Sequence, residues 1–177
     1  MKLKRRTRVR KGRGRTADGA KTARSSTPRA AITIAWDGVR RFVPDAAVRA
    51  AVRAARAHGG RPEIAASIVF VTDRYLSRMH DKHLGDASRT DVITFDLSDD
   101  AGGPLVEVYA SAERARAVAA RRKVTPRREL LLYVVHGVLH LCGFDDHSRG
   151  DRARMRRAET AVLSRLGYAA DDAAHDE

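Results

Sequence analysis

The run from Val134 to Ser148, VVHGVLHLCGFDDHS, decides how the rest of the chain is read. His136 and His140 stand four apart in otherwise apolar sequence, with Leu130 to Val135 before them and Val138, Leu139 and Leu141 around them. Residues i and i+4 of a helix lie one above the other on one face, so two imidazoles can converge on one point. Gly143 supplies the residue that most readily takes the left-handed conformation and ends a helix. Asp145, Asp146 and His147 follow at once, close enough to fold back toward the pair. Two helical histidines and one ligand from the following turn match the ligand count of a catalytic zinc site with an open position. The plainer alternative is a packed histidine pair in a core; the glycine turn and the acid/histidine cluster behind it favour a metal. Zinc peptidases of the H-E-x-x-H kind place a glutamate, the general base, after the first histidine. Gly137 stands there in this chain, which disfavours a peptidase.

Upstream, Thr125 and Pro126 form a helix start, Thr as N-cap and Pro in the first turn, and the helix predicted from Pro126 to Cys142 is apolar nearly all round. Such a helix belongs at the buried centre of its domain. Downstream, a last helix is predicted from about Gly150 to Leu166, with Met155, Ala158, Val162 and Leu166 inward. Toward the amino terminus, strands are predicted at Ile32–Trp36, Ile64–Val71, Val92–Leu97 and Leu105–Ala110, the last two as a hairpin. Helices are predicted from Pro44 and Asp45 to about Ala57, from the Thr72/Asp73 cap to Gly85, and from Ser111 to about Arg122. His80 and His83 have ligand-like spacing but no following acid-rich turn, so they are read as surface or rim histidines.

The chain of 177 residues has the length of one domain, and 43% hydrophobic with 32% charged residues suits a globular protein carrying a polar extension. Of the net charge of +13, residues 1–30 account for +11, twelve bases against Asp18 alone. That segment has almost no apolar content and is expected to be disordered, with sequence-independent affinity for phosphates. It has no apolar core of the secretory kind, and no run of about 18 apolar residues occurs anywhere, so no membrane span is expected. Cys142 is the only cysteine, which rules out an internal disulfide and points to a reducing, cytoplasmic compartment.

HGVLHLCGFDDH, residues 136–147, resembles the HGxLHLxGYDH signature of the YbeY family of bacterial metal-dependent endoribonucleases. RTDVITF at 89–95 is similar to that family's PTDVLSF strand, VEVYAS at 106–111 to its GDIxIS strand, and MRRAETAVLSRLGY at 155–168 to its C-terminal helix ending in LGY. The resemblance covers about residues 31–168, leaving a basic tail at 1–30 and a short acidic tail at 169–177. It implies a single α+β domain, a small mixed sheet of about four strands with helices packed on it and the histidine helix buried. It also implies one zinc ion per chain, cleavage of single-stranded RNA, maturation of the 3′ end of the small-subunit (16S) rRNA, and ribosome quality control, with rRNA precursor and ribosome as partners.

Two departures from the family pattern bear on the site. The family's third ligand is a histidine six residues after the second; counted from His140, that place is held by Asp146, and His147 comes one later. Either Asp146 takes the ligand place or the turn gains a residue and His147 binds. An aspartate oxygen is a legitimate zinc ligand, and keeping the spacing favours Asp146. Some members carry a functional arginine six residues before the threonine of the strand motif, where this chain has Leu84. Arg89 is the nearest arginine and is the candidate contact to substrate phosphate, although the family role does not carry over to it by position. Water attack and attack by the RNA 2′-OH both remain open as mechanisms. Two rival readings are a metal-dependent amide or peptide hydrolase and a non-enzymatic ribosome assembly factor whose structural metal takes Cys142 as a fourth ligand.

Overall fold

A computed structural model describes residues 2–3, 31–85, 90–97 and 105–168. Four alternating or apolar, β-branched-rich stretches become strands, β2 (Ile32–Trp36), β3 (Ala65–Val71), β4 (Val92–Asp96) and β5 (Leu105–Ser111), and the two residues Lys2–Leu3 add a short edge strand, β1. They form one mixed sheet in the order β1-β4-β5-β3-β2. β2, β3 and β5 run parallel, and β4 is antiparallel to β5 with Thr94 opposite Val108, the hairpin expected from the sequence. Of residues 1–30, only Lys2 and Leu3 are described, paired parallel to Thr94 and Phe95; the expectation for the rest of that segment lies outside the described residues.

Five helices pack on the sheet among the described residues: α1 (Asp45–His58), α2 (Asp73–Leu84), α3 (Ala112–Arg122), α4 (Pro126–Leu141) and α5 (Arg149–Arg165). Three of them start on the predicted caps, with Thr72, Ser111 and Thr125 side chains accepting from the backbone N–H three residues on. The period-two alternation of the strands separates two cores. Ala66, Ile68 and Phe70 of β3 and Val106, Val108 and Ala110 of β5 face the larger core, shared with α1, α4 and α5. Val69, Val71, Ile93, Phe95 and Tyr109 face the other way, against Leu76 and Met79 of α2. His80 is 7% exposed, more enclosed than the surface or rim place expected for it, and lies on a helix whose inner side is pressed onto the sheet. His83 is half-buried with its ring 5.3 Å from that of Phe95.

From Arg128 to Leu141 every residue of α4 is buried except His136, which is half-buried. Each fully buried Leu or Val here contributes about 1.5–3 kcal/mol, which makes α4 the element the fold is assembled around. It lies close on β4 and β5 because Gly137 has no side chain. A Cβ at that position would come within 2.7 Å of Val108 Cγ1 and 3.0 Å of Thr94 Oγ1. No helix of the described residues is long and apolar enough to cross a membrane.

Candidate metal centre

The site is built at the carboxyl end of α4. Gly143 takes φ +92°, a region open to glycine, and the chain reverses so that Phe144 N–H donates back to the Leu139 carbonyl and Gly143 N–H to that of His140. The reversal brings the turn after α4 back over the histidine face. Ser148 then caps α5, accepting from Asp151 N–H, and Arg152 Nη1 donates to the carbonyls of Asp146 (3.1 Å) and His147 (2.8 Å). The loop carrying Asp146 is thus tied to the helices on both sides.

His136, His140 and Asp146 come together. The two Nε2 atoms are 2.9 Å apart, and Asp146 Oδ2 lies 3.5 Å from His140 Nε2 and 3.7 Å from His136 Nε2. His147 does not join them. Its side chain is 69% exposed and faces Asp145, Nε2 to Oδ1 at 3.4 Å. Asp145, Asp146 and His147 nevertheless form a second, more open group able to hold a cation. Arg89 lies outside the described residues. Cys142 is turned toward Gly59, against which its sulfur packs, and belongs to neither group.

The outer nitrogens of the two rings fix their chemistry. His140 Nδ1 is 3.0 Å from the Phe144 carbonyl oxygen, which only accepts, so the ring proton sits on Nδ1. His136 Nδ1–H donates to Glu159 Oε1 at 2.6 Å. With Nδ1 of each ring engaged outward, the two Nε2 atoms face one another at 2.9 Å. Two ring nitrogens at that distance share one cation, either a proton carried by His136 or a metal ion. A tetrahedral ion bound at about 2.0–2.1 Å separates its ligands by roughly 3.3 Å, close to the spread of the three donors. The residues therefore fit a metal, with Glu159 and the Phe144 carbonyl orienting the ligands as outer partners commonly do.

Charge is distributed to the same end. Burial opposes the charged form of His136, but the Glu159 hydrogen bond and the charges of Glu159, Asp91 and Asp146 outweigh it and raise its pKa. Burial, reinforced by the neighbouring His136, holds His140 below the usual histidine range against the pull of the nearby Asp146. The close approach of His140, 3.5 Å away, outweighs burial at Asp146 and keeps its carboxylate far below the ordinary range, hence ionised. Glu159 is a site residue that the sequence reading misses. Its signal is nonetheless present: an acid next to Ala158, on the inward stripe of Met155, Ala158 and Val162, and itself 4% exposed. An ionisable group placed on an apolar face needs a partner.

Comparison with known proteins agrees with this architecture. A model of the family described as Endoribonuclease YbeY matches residues 40–167. Proteins named Endoribonuclease YbeY from Chlorobium phaeovibrioides and Gluconobacter oxydans are 35% and 39% identical to this chain, over 72% and 69% of it and 86% and 73% of their own lengths. A third, from Pelotomaculum thermopropionicum, is 36% identical over 67% of this chain and 82% of its own. The solution structure of TM1509 from Thermotoga maritima superposes with a TM-score of 0.53 at 21% identity, covering 76% of this chain and 88% of that one, a likeness of fold. The chain belongs to the Endoribonuclease YbeY family.

Proposed function

We propose that this protein is a zinc-dependent endoribonuclease of single-stranded RNA that matures the 3′ end of the small-subunit rRNA in the cytoplasm and takes part in ribosome quality control. Family membership supports the reaction class. The observation that carries the metal is the convergence of the two Nε2 atoms, 2.9 Å apart, with the ionised Asp146 carboxylate within 3.7 Å of both, while both Nδ1 atoms are engaged elsewhere. His136, His140 and Asp146 are the proposed ligands, and Asp146 replaces the histidine of the family pattern.

A zinc ion held there would supply Lewis-acid stabilisation of the charge that develops on a phosphoryl oxygen. Glu159 and the Phe144 carbonyl keep the two imidazole rings in the tautomer that leaves Nε2 free. His147, exposed and oriented by Asp145, is the residue assigned to move a proton between substrate and solvent. Arg89 is assigned to the phosphate. The peptidase alternative is weakened further by packing: a glutamate in place of Gly137 would drive its Cβ into Val108 and Thr94.

The test is zinc content by elemental analysis, with cleavage of a single-stranded RNA followed on the same samples. Wild type is expected to hold near one zinc per chain, His136→Ala and Asp146→Ala to lose it, and His147→Ala to retain it. Loss of cleavage in step with zinc supports the nuclease reading. Zinc retained in Asp146→Ala and lost in His147→Ala would move the third ligand to His147, and a wild type without zinc would sink the metal reading altogether.

A further inference from the structure

The helix that follows the metal turn carries more positive charge than the turn uses, since of its arginines only Arg152 is bonded to the turn's carbonyls. α5 has six arginines against Asp151 and Glu159, whereas the chain beyond residue 30 has a net charge of only +2. Arg149, Arg152 and Arg156 are exposed and follow the i, i+3, i+7 spacing of one helix face. The next step along the same row is Glu159, which is hydrogen-bonded to His136. The row therefore starts at the metal turn and runs back to the residue that orients a proposed ligand. Arg152 sits on the turn itself, through the carbonyls of Asp146 and His147.

An arginine-rich helix face is commonly a solvated surface, but this one is placed where local energetics disfavour it. Cations in the first turns of a helix oppose its dipole, and Arg152 and Arg156 are like charges at i, i+4. Asp151, the acid of the first turn, is engaged with the Ser148 cap and pairs with Arg154, away from the row. What such a row suits is a polyanion lying along it. Seven residues of helix make the row about 10 Å long.

We infer that Arg149, Arg152 and Arg156 form a phosphate track along which single-stranded RNA is laid toward the metal corner, and that α5 rather than the basic tail alone aligns the substrate. This rests on the nuclease reading for its substrate class.

The experiment uses the full chain and a 2′-O-methyl single-stranded oligonucleotide, bound but not cleaved, titrated by fluorescence anisotropy at several salt concentrations. Arg149→Gln with Arg156→Gln is compared with Arg157→Gln with Arg165→Gln, which removes the same charge from other faces of the same helix. The track variant is expected to weaken binding about tenfold at 0.1 M salt and to flatten the slope of log affinity against log salt by about 1.4, some 0.7 for each phosphate no longer neutralised. The control pair is expected to change binding by less than about twofold, and Arg149→Lys with Arg156→Lys to keep most of the affinity. Equal losses in the two glutamine variants, no loss in the track variant, or failure of the lysine variant to bind would overturn the track. Cleavage of unmodified RNA by wild type is measured alongside. An inert wild type whose binding still depends on the track removes the nuclease reading and leaves the track standing, whereas active enzyme with equal losses removes only the track.

Discussion

Glu159 with His136 and Asp145 with His147 are the same chemical pair in different surroundings. The first is 2.6 Å long, with side chains 6% and 21% exposed; the second is 3.4 Å long, with side chains 49% and 69% exposed. The inner pair is enclosed by α4 and α5, so the proton on His136 Nδ1 has one place to go and Nε2 is directed at His140. The outer pair stands in water, where an ion pair is typically worth under about 1 kcal/mol and holds the ring only loosely. Sequence spacing offers Asp146 and His147 as rival third ligands. The direction of the turn separates them in space, one toward the buried nitrogens and one toward solvent.

The sharpest way to break the inner half is to remove a nitrogen. His140→Ala is expected to leave less than a tenth of the wild-type zinc and to lower RNA cleavage by about a thousandfold or more, since a fall of about 4 kcal/mol in transition-state stabilisation has that effect. Elemental analysis and single-turnover cleavage on one preparation check it. Cleavage that survives loss of the metal would place the chemistry elsewhere.

Removing the partner behind a ligand is the next test. Glu159→Ala takes away the acceptor of His136 Nδ1–H and is expected to weaken zinc about 10- to 100-fold, the usual range for such outer partners. Glu159→Gln keeps an acceptor but no charge and is expected to fall at the mild end of that range. Competition with a fluorescent chelator reads both. Unchanged affinity in Glu159→Ala would show that α4 alone orients the ring.

Packing, rather than coordination, is tested at Gly137. An added methyl would lie 2.7 Å from Val108 Cγ1, and in a helix buried on all sides the sheet has little room to yield. Gly137→Ala is expected to lower stability by about 1–3 kcal/mol, read as the shift in denaturant midpoint at unchanged slope. A neutral result would mean that β4 and β5 relax away from the helix.

These residues also show what can be read from sequence alone. The start of α4 at Thr125-Pro126, its stop at Gly143 and its burial on all sides are local properties, and the chain spells them out. The β4–β5 hairpin and the inner stripe of α5 follow equally from period. Glu159 escapes such a reading because its meaning lies in a residue 23 positions away, on another helix. Gly137 reads in sequence as a missing base, and the closeness of Val108 and Thr94 that demands a glycine is a tertiary fact. His80 is more enclosed than expected for the same reason: polarity alone does not reveal which side of α2 meets the sheet.

The smallest expected effect belongs to the outer pair and is the most useful control. Asp145→Asn removes the charge facing His147 while leaving the carbonyl oxygen that accepts from Asp146 N–H at 2.8 Å, so the turn keeps its local hydrogen bond. Zinc content is expected to stay at the wild-type level, and stability to change by less than about 0.5 kcal/mol, because an exposed pair contributes little. Cleavage is expected to fall only severalfold, through a less well oriented His147. If zinc were lost with Asp145, the more open group of Asp145, Asp146 and His147 would be the one that holds the ion, and the enclosure of His136 by Glu159 would be a packing arrangement rather than the basis of the site.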